Sequence, residues 1–129
     1  AEIPPKMLEF AQDALRDALK DTQAFARGLG EYMTESKPNV WFDAAEPSAE
    51  LTGALRSGGC RLDRRTRMMF DTQHIYINGE SFTASGQDAA LMRTLANERL
   101  LPAKALGKLT AQAFELLLSW VEAGWVVTV

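Results

Sequence analysis

Only one cysteine, Cys60, and one histidine, His74, occur in the 129 residues. A lone cysteine excludes an internal disulfide framework and a thiolate cluster, so a reducing cytoplasm is the expected setting. A lone histidine excludes a non-haem iron site, which takes two imidazoles and a carboxylate, and the usual catalytic zinc sites from being built by this chain alone. Long hydrophobic runs are also missing. The longest, Phe114 to Val121, is interrupted by Glu115 and Ser119, against the roughly 20 residues that a membrane span requires. No charged and then apolar leader stands at the amino end, so neither secretion nor membrane insertion is expected. Gly58-Gly59, Asn78-Gly79 and Gly86 lack the spacing and the following Lys-Ser/Thr of a phosphate loop. There is no internal repeat and no low-complexity segment.

Positive charge is in deficit too. The formal net charge is −3 with a pI near 5.2, which argues against a protein whose main task is to grip nucleic acid. The deficit is uneven: residues 1–50 carry five Lys/Arg against ten Asp/Glu, and residues 51–129 carry nine against seven. Hydrophobic residues make up 47% and charged residues 24%, the mix of a chain that folds around a core. At this length roughly two-thirds of the unfolded surface can be buried without staples.

Apolar periodicity divides the chain. Pro4-Pro5 suits a first helical turn, and Met7, Leu8, Ala11, Ala14, Leu15, Ala18 and Leu19 recur at three- and four-residue spacing, predicting a helix over 5–20. Asp21-Thr22 offers a cap for a second helix, whose stripe is Phe25, Leu29, Tyr32 and Met33 and which Pro38 closes. Residues 1–37 therefore read as an antiparallel helical hairpin. Each stripe is wider than one helix–helix contact line, so the remainder awaits cover, from residues 50–129 or from a second subunit. Residues 38–47 read as a linker in which the adjacent aromatics Trp41 and Phe42 pin the segment down.

Residues 48–129 read as one α+β unit. Ser48 caps a helix that ends at Gly58-Gly59, Cys60–Asp63 and Thr66–Asp71 are strands about a turn at Arg64-Arg65, and Thr72–Phe82 is a β-hairpin. Its centre, Asn78-Gly79, tolerates the two positive φ angles of a type I′ turn. A helix follows to Glu98, Leu100-Leu101-Pro102 stops it, Thr110 caps another, and Trp125–Val129 is a returning strand expected to join the hairpin in one small antiparallel sheet. A helix pair beside a hairpin is the ingredient list of a winged helix.

No catalytic constellation can be assembled from these residues. Asp71, His74 and Ser81 are near in sequence, but alternation on a hairpin separates their side chains and supplies no oxyanion hole. Cys60 is expected as a buried small hydrophobe that begins a strand. Arg56, Arg61, Arg64, Arg65 and Arg67, opposed locally by Asp63, form the one charge cluster. Guanidinium groups there are candidates for holding phosphates or an acidic segment of a partner.

Ile75-Tyr76-Ile77-Asn78-Gly79-Glu80 after a basic strand, Trp120-Val121-Glu122-Ala123-Gly124-Trp125 near the end, and Phe25-Ala26-Arg27-Gly28-Leu29-Gly30-Glu31-Tyr32 upstream occur in a set order. Together they resemble the carboxy-terminal region of the bacterial cupin-type Jumonji-C ribosomal oxygenases. That family combines a cupin barrel holding Fe(II) and 2-oxoglutarate, a helical dimerisation region and a winged-helix-like domain, and it hydroxylates a ribosomal protein. The barrel's iron ligands have no counterpart here, so the resemblance carries over no catalytic, metal or cofactor-binding residue. It implies a homodimer with an interface at Met7, Leu8, Leu15, Leu19, Phe25, Leu29, Tyr32 and Met33, and a ribosomal protein substrate reached through the parent enzyme. The competing expectation is a free-standing winged-helix module that binds nucleic acid through Arg56–Arg67 or through the helix of Gln87–Glu98.

Overall fold

The computed structural model describes residues 2–129. Its elements follow the order α1 (Pro5–Lys20), α2 (Thr22–Thr34), α3 (Ala49–Gly58), β1 (Cys60–Leu62), β2 (Met68–Phe70), β3 (Ile75–Ile77), β4 (Glu80–Phe82), α4 (Gly86–Glu98), β5 (Leu100–Leu101), α5 (Ala103–Leu106), α6 (Ala111–Glu122) and β6 (Val126–Thr128). Local chemistry sets the helix starts. Side-chain oxygens of Asp21, Ser48 and Thr110 accept from Ala24, Leu51 and Ala113 N–H at 3.0, 3.0 and 3.2 Å, each cap contributing about 1 kcal/mol. At the hairpin Asn78 and Gly79 take φ of 47° and 90°, the pair of signs a type I′ turn requires.

The α+β class holds, but the single small sheet does not. There are two three-stranded antiparallel sheets, β5-β1-β6 and β2-β3-β4. The returning strand β6 pairs with β1, Leu62 opposite Val126, and not with the hairpin. The reason lies in the turn after β1. Thr66 Oγ1 donates to the Trp125 carbonyl at 2.6 Å, and Arg99 donates to the Asp63 and Thr66 carbonyls at 2.8 and 3.2 Å. Arg64-Arg65 thus carries the chain from one sheet to the other and closes no hairpin. Leu100-Leu101, expected as a stop, is the edge strand β5, and the short α5 follows it.

One hydrophobic cluster joins the two sheets, with Leu55, Leu62, Ile75, Ile77, Leu95, Leu117, Trp120 and Val126 among its members. Phe82 meets Trp120 edge to face with ring centroids 5.5 Å apart. Cys60 is fully buried in this cluster. Burial pushes its thiol up to about 12, so it packs as a small hydrophobe and offers no thiolate.

Helix α2 lies across the β2-β3-β4 sheet. The face it presents is Ala26, Gly30, Glu31 and Thr34, small or polar and spaced by one turn. Gly30 stands against the Tyr76 ring, where a Cβ would come within 2.5 Å of Cε1. Thr34 Oγ1 accepts from Gly79 N–H at 3.0 Å and donates to the Gly30 carbonyl at 2.9 Å. Ser81 Oγ donates to Glu31 and accepts from Arg27 Nε at 2.8 Å. Residues 50–129 therefore cover the polar side of α2 and leave its apolar stripe uncovered, against the simplest expectation for an amphipathic helix.

The segment between α2 and α3 is strapped to the body by Arg65. Its guanidinium donates to both carboxylate oxygens of Asp63 at 2.8 and 3.0 Å and to the Trp41 carbonyl at 2.6 Å. It also lies 5.4 Å from the centre of the Phe42 ring, which meets Trp125 at 6.4 Å. Of the two aromatics expected to pin this segment, Phe42 does so, whereas Trp41 is 79% exposed.

Two predictions follow from these contacts. Gly28 has open space where a Cβ would stand, so Gly28→Ala is expected to gain about 0.5–1 kcal/mol from helix propensity. Gly30→Ala is expected to lose about 1–3 kcal/mol through overlap with Tyr76. Urea unfolding measures both, and a gain at both positions would rule out the seating of α2. The second prediction concerns acid. The Arg65 hydrogen bonds hold the Asp63 carboxyl at about 2, below its ordinary 3.8, despite the opposing effect of burial. The stabilisation is thus complete above about pH 4 and is lost as pH falls through about 2. The urea-midpoint difference between the wild type and Asp63→Asn is expected to narrow over that window; a constant difference contradicts the pair.

Candidate functional site

The eight apolar residues expected at an interface all face outward. Met7, Leu8, Leu15 and Leu19 on α1 and Phe25, Leu29, Tyr32 and Met33 on α2 are between 43% and 75% exposed. Every α1 residue whose burial is described is exposed, although α1 packs on α2. Phe10, 75% exposed, belongs to the same surface and was missed by the stripe. Its signal was present, since Phe10 stands three residues after Met7 on the same helix face. The polar side of α1 carries the exposed pairs Asp13–Arg16 and Asp17–Lys20, each at 3.5 Å. Such pairs in water contribute little.

The arginine cluster is divided by the fold. Arg56 on α3 lies over the Phe114 ring at 4.0 Å. Arg65 is committed to Asp63 and the strap, and its pKa is raised by those bonds, with Asp63 the largest cause. Arg61, Arg64 and Arg67 are exposed, the first in the middle of β1 and the second in the turn. Arg67 also anchors the hairpin turn through its backbone N–H, which donates to Asn78 Oδ1 at 3.0 Å. Arg99, absent from the sequence-based cluster, is a further internal tie: it sits at φ 62° and its guanidinium reaches back to the 63–66 turn. Its one sequence signal is a position between a helix end and an apolar pair.

The triad arrangement is not formed. Asp71 accepts from the Gln73 and His74 backbone N–H groups at 2.8 Å and from the Tyr76 hydroxyl at 2.5 Å. Burial opposes the charge on Asp71, but the bonds from Tyr76, Gln73 and His74 outweigh it and its pKa falls. Burial, then Asp71, raises the Tyr76 hydroxyl well above its usual range. Ser81 is bonded to Glu31 and Arg27, not to His74. These groups fix the hairpin beneath α2.

The residues do not fit an iron site either. Among the described residues no group of three or more His, Cys, Asp or Glu is placed to hold a metal. The single imidazole lies against Tyr76, ring centroids 6.0 Å apart, with Nδ1 buried and unpartnered. No helix among the described residues is long and apolar enough to cross a membrane.

Comparison with known proteins now gives this arrangement a family. No curated protein sequence matches. A crystal structure of the Escherichia coli ribosomal oxygenase YcfD superposes on the whole chain with a TM-score of 0.75 at 18% identity, using 37% of that protein's chain. YcfD from E. coli in complex with cobalt and succinic acid gives 0.74 at 20% identity over 98% of this chain and 36% of that one. The complex with cobalt and 2-oxoglutarate gives 0.72 at 20% over the same shares. The chain thus spans little more than a third of the length of these ribosomal oxygenases. At this identity the likeness establishes the fold, and it accords with the expected resemblance. Residues 13–126 match the family model of the ROXA-like winged helix, and the chain belongs to that family.

Proposed function

We propose that this chain is the non-catalytic portion of a cytoplasmic Fe(II)/2-oxoglutarate-dependent, cupin-type ribosomal protein hydroxylase. Residues 1–37 serve as its dimerisation hairpin and residues 48–129 as its winged-helix domain. In this reading iron and 2-oxoglutarate belong to a barrel outside these residues, and the present portion supports assembly and positions the ribosomal substrate protein. The cobalt, succinic acid and 2-oxoglutarate named for the YcfD structures support the assignment of that chemistry to the parent.

The observation that carries the proposal is the two-sidedness of α2. One face is taken up by the hairpin sheet through Gly30 and Thr34, and the opposite face continues the exposed stripe of α1. A contiguous apolar surface of this kind marks an interface. A two-fold axis lets the stripe of one copy cover the stripe of another. The nucleic-acid reading gains no comparable support, because Arg65 is already bound and the chain is net negative.

Sedimentation velocity at micromolar concentration is expected to show a dimer. Leu15→Glu with Leu29→Glu places charge in that stripe, at about 1–2 kcal/mol or more per site. The double variant is expected to sediment as a monomer with its hairpin-sheet unit intact. A wild-type monomer at those concentrations would contradict the proposal.

A further inference from the structure

A cavity of about 750 Å³ opens between the amino-terminal halves of α4 and α6, with β3 and β4 at its base. Neither α1 nor α2 reaches it. Its floor is apolar, formed by Ile75, Phe82, Met92 and Trp120. Trp120 is 2% exposed, and its Nε1 finds no acceptor among the described residues. A buried indole N–H without a partner is costly unless water or a ligand supplies an acceptor. The rim is acidic: Asp88 and Glu115 line it, and among the described residues no basic side chain does. Asp88 also ties the two helices together, accepting from Thr110 N–H at 3.0 Å and Thr110 Oγ1 at 2.7 Å. The mouth is therefore held at a set width before anything enters.

We propose that this cavity binds a peptide segment that presents one large apolar side chain beside lysine or arginine. The apolar side chain rests on the Phe82–Trp120 floor, and the flanking cation pairs with Glu115 and Asp88. Charge selects the class of partner. A phosphate-bearing ligand meets two carboxylates and no cation, whereas a basic peptide meets charge of the opposite sign at the rim and apolar surface beneath it. The site lies within residues 75–120, so it stands whether or not the α1–α2 face forms a dimer.

The test uses the full chain, labelled with 15N at tryptophan, with Trp41→Phe and Trp125→Phe variants assigning the three indole signals. The probe is the peptide acetyl-Lys-Lys-Phe-Lys-Lys-amide. The Trp120 indole signal is expected to shift and saturate with a Kd on the order of 100 μM. Glu115→Lys, a change at an exposed helix position, is expected to weaken binding about tenfold without altering the other indole signals. Counterparts with Ser for Phe, or with Glu for every Lys, are expected to cause no shift. An unmoved Trp120 signal at millimolar probe would overturn the proposal. So would an equal shift with the Ser or Glu peptide, a shift caused by a single-stranded oligonucleotide, or unchanged affinity in Glu115→Lys.

Discussion

Gly30 stands against the Tyr76 ring, and that approach decides which side of α2 is free. A helix that brings glycine and threonine to a sheet comes close enough for backbone and hydroxyl groups to bond directly, as Thr34 does with Gly79. Such a contact gains little from apolar area and much from satisfied polar groups in a confined space. Tyr76 completes it by donating its hydroxyl hydrogen bond to Asp71 while its ring fills the volume a side chain at position 30 would take. Once this face is spent, Phe25, Leu29, Tyr32 and Met33 have no core left to enter. Their outward position is a consequence of the seating.

The same economy governs the charges. The turn at 63–66 must carry the chain between two sheets that share no strand, and it is held by guanidinium groups from both directions, Arg65 on the Asp63 carboxylate and Arg99 on the turn's carbonyls. Planar, multiply donating groups suit irregular backbone whose carbonyls have no ladder partner. What looks in the sequence like a basic surface is in part the internal fastening of that turn.

Features that depend on a few neighbouring residues were legible without the structure. Asn78-Gly79 announces its turn, and Ser48 and Thr110 announce the helices they cap, because the chemistry acts within three residues. The partition into two sheets was not legible, because it rests on Cys60 meeting Thr128 and Leu101 across long stretches of chain. The orientation of α2 was left open, between the chain's own core and a second subunit, for a different reason. Apolar periodicity locates a stripe but says nothing of what will cover it, and the default assumption assigns it to the chain's own core. The contrary signal was Ala26, Gly30 and Thr34 at four-residue spacing, a small-residue face that permits close approach. The outward stripe was otherwise readable residue by residue, save Phe10. The cavity at Trp120 was invisible, since its walls come from four separate elements.

Helix α1 makes the strongest demand for a partner. Sixteen residues are near the lower limit for a helix in water, and most helices of this length depend on burying a face. α1 touches α2 and leaves every described residue exposed, so its own contacts supply little of that burial. The charge of the same region sets a second condition. Residues 1–50 carry twice as many acidic as basic side chains, so two copies brought together repel, and the apolar gain must exceed that repulsion. Salt screens the repulsion over about 10 Å or less and leaves the apolar contact intact. Self-association through α1 and α2 is therefore expected to tighten as salt rises, a trend that sedimentation equilibrium across a salt series measures. Binding of nucleic acid by the exposed arginines would weaken over the same series as counterions compete. The sign of the salt dependence separates self-association through the stripe from nucleic-acid binding through the arginines, and a dimer that loosened steadily with salt would mean that ion pairs, not the stripe, hold it together.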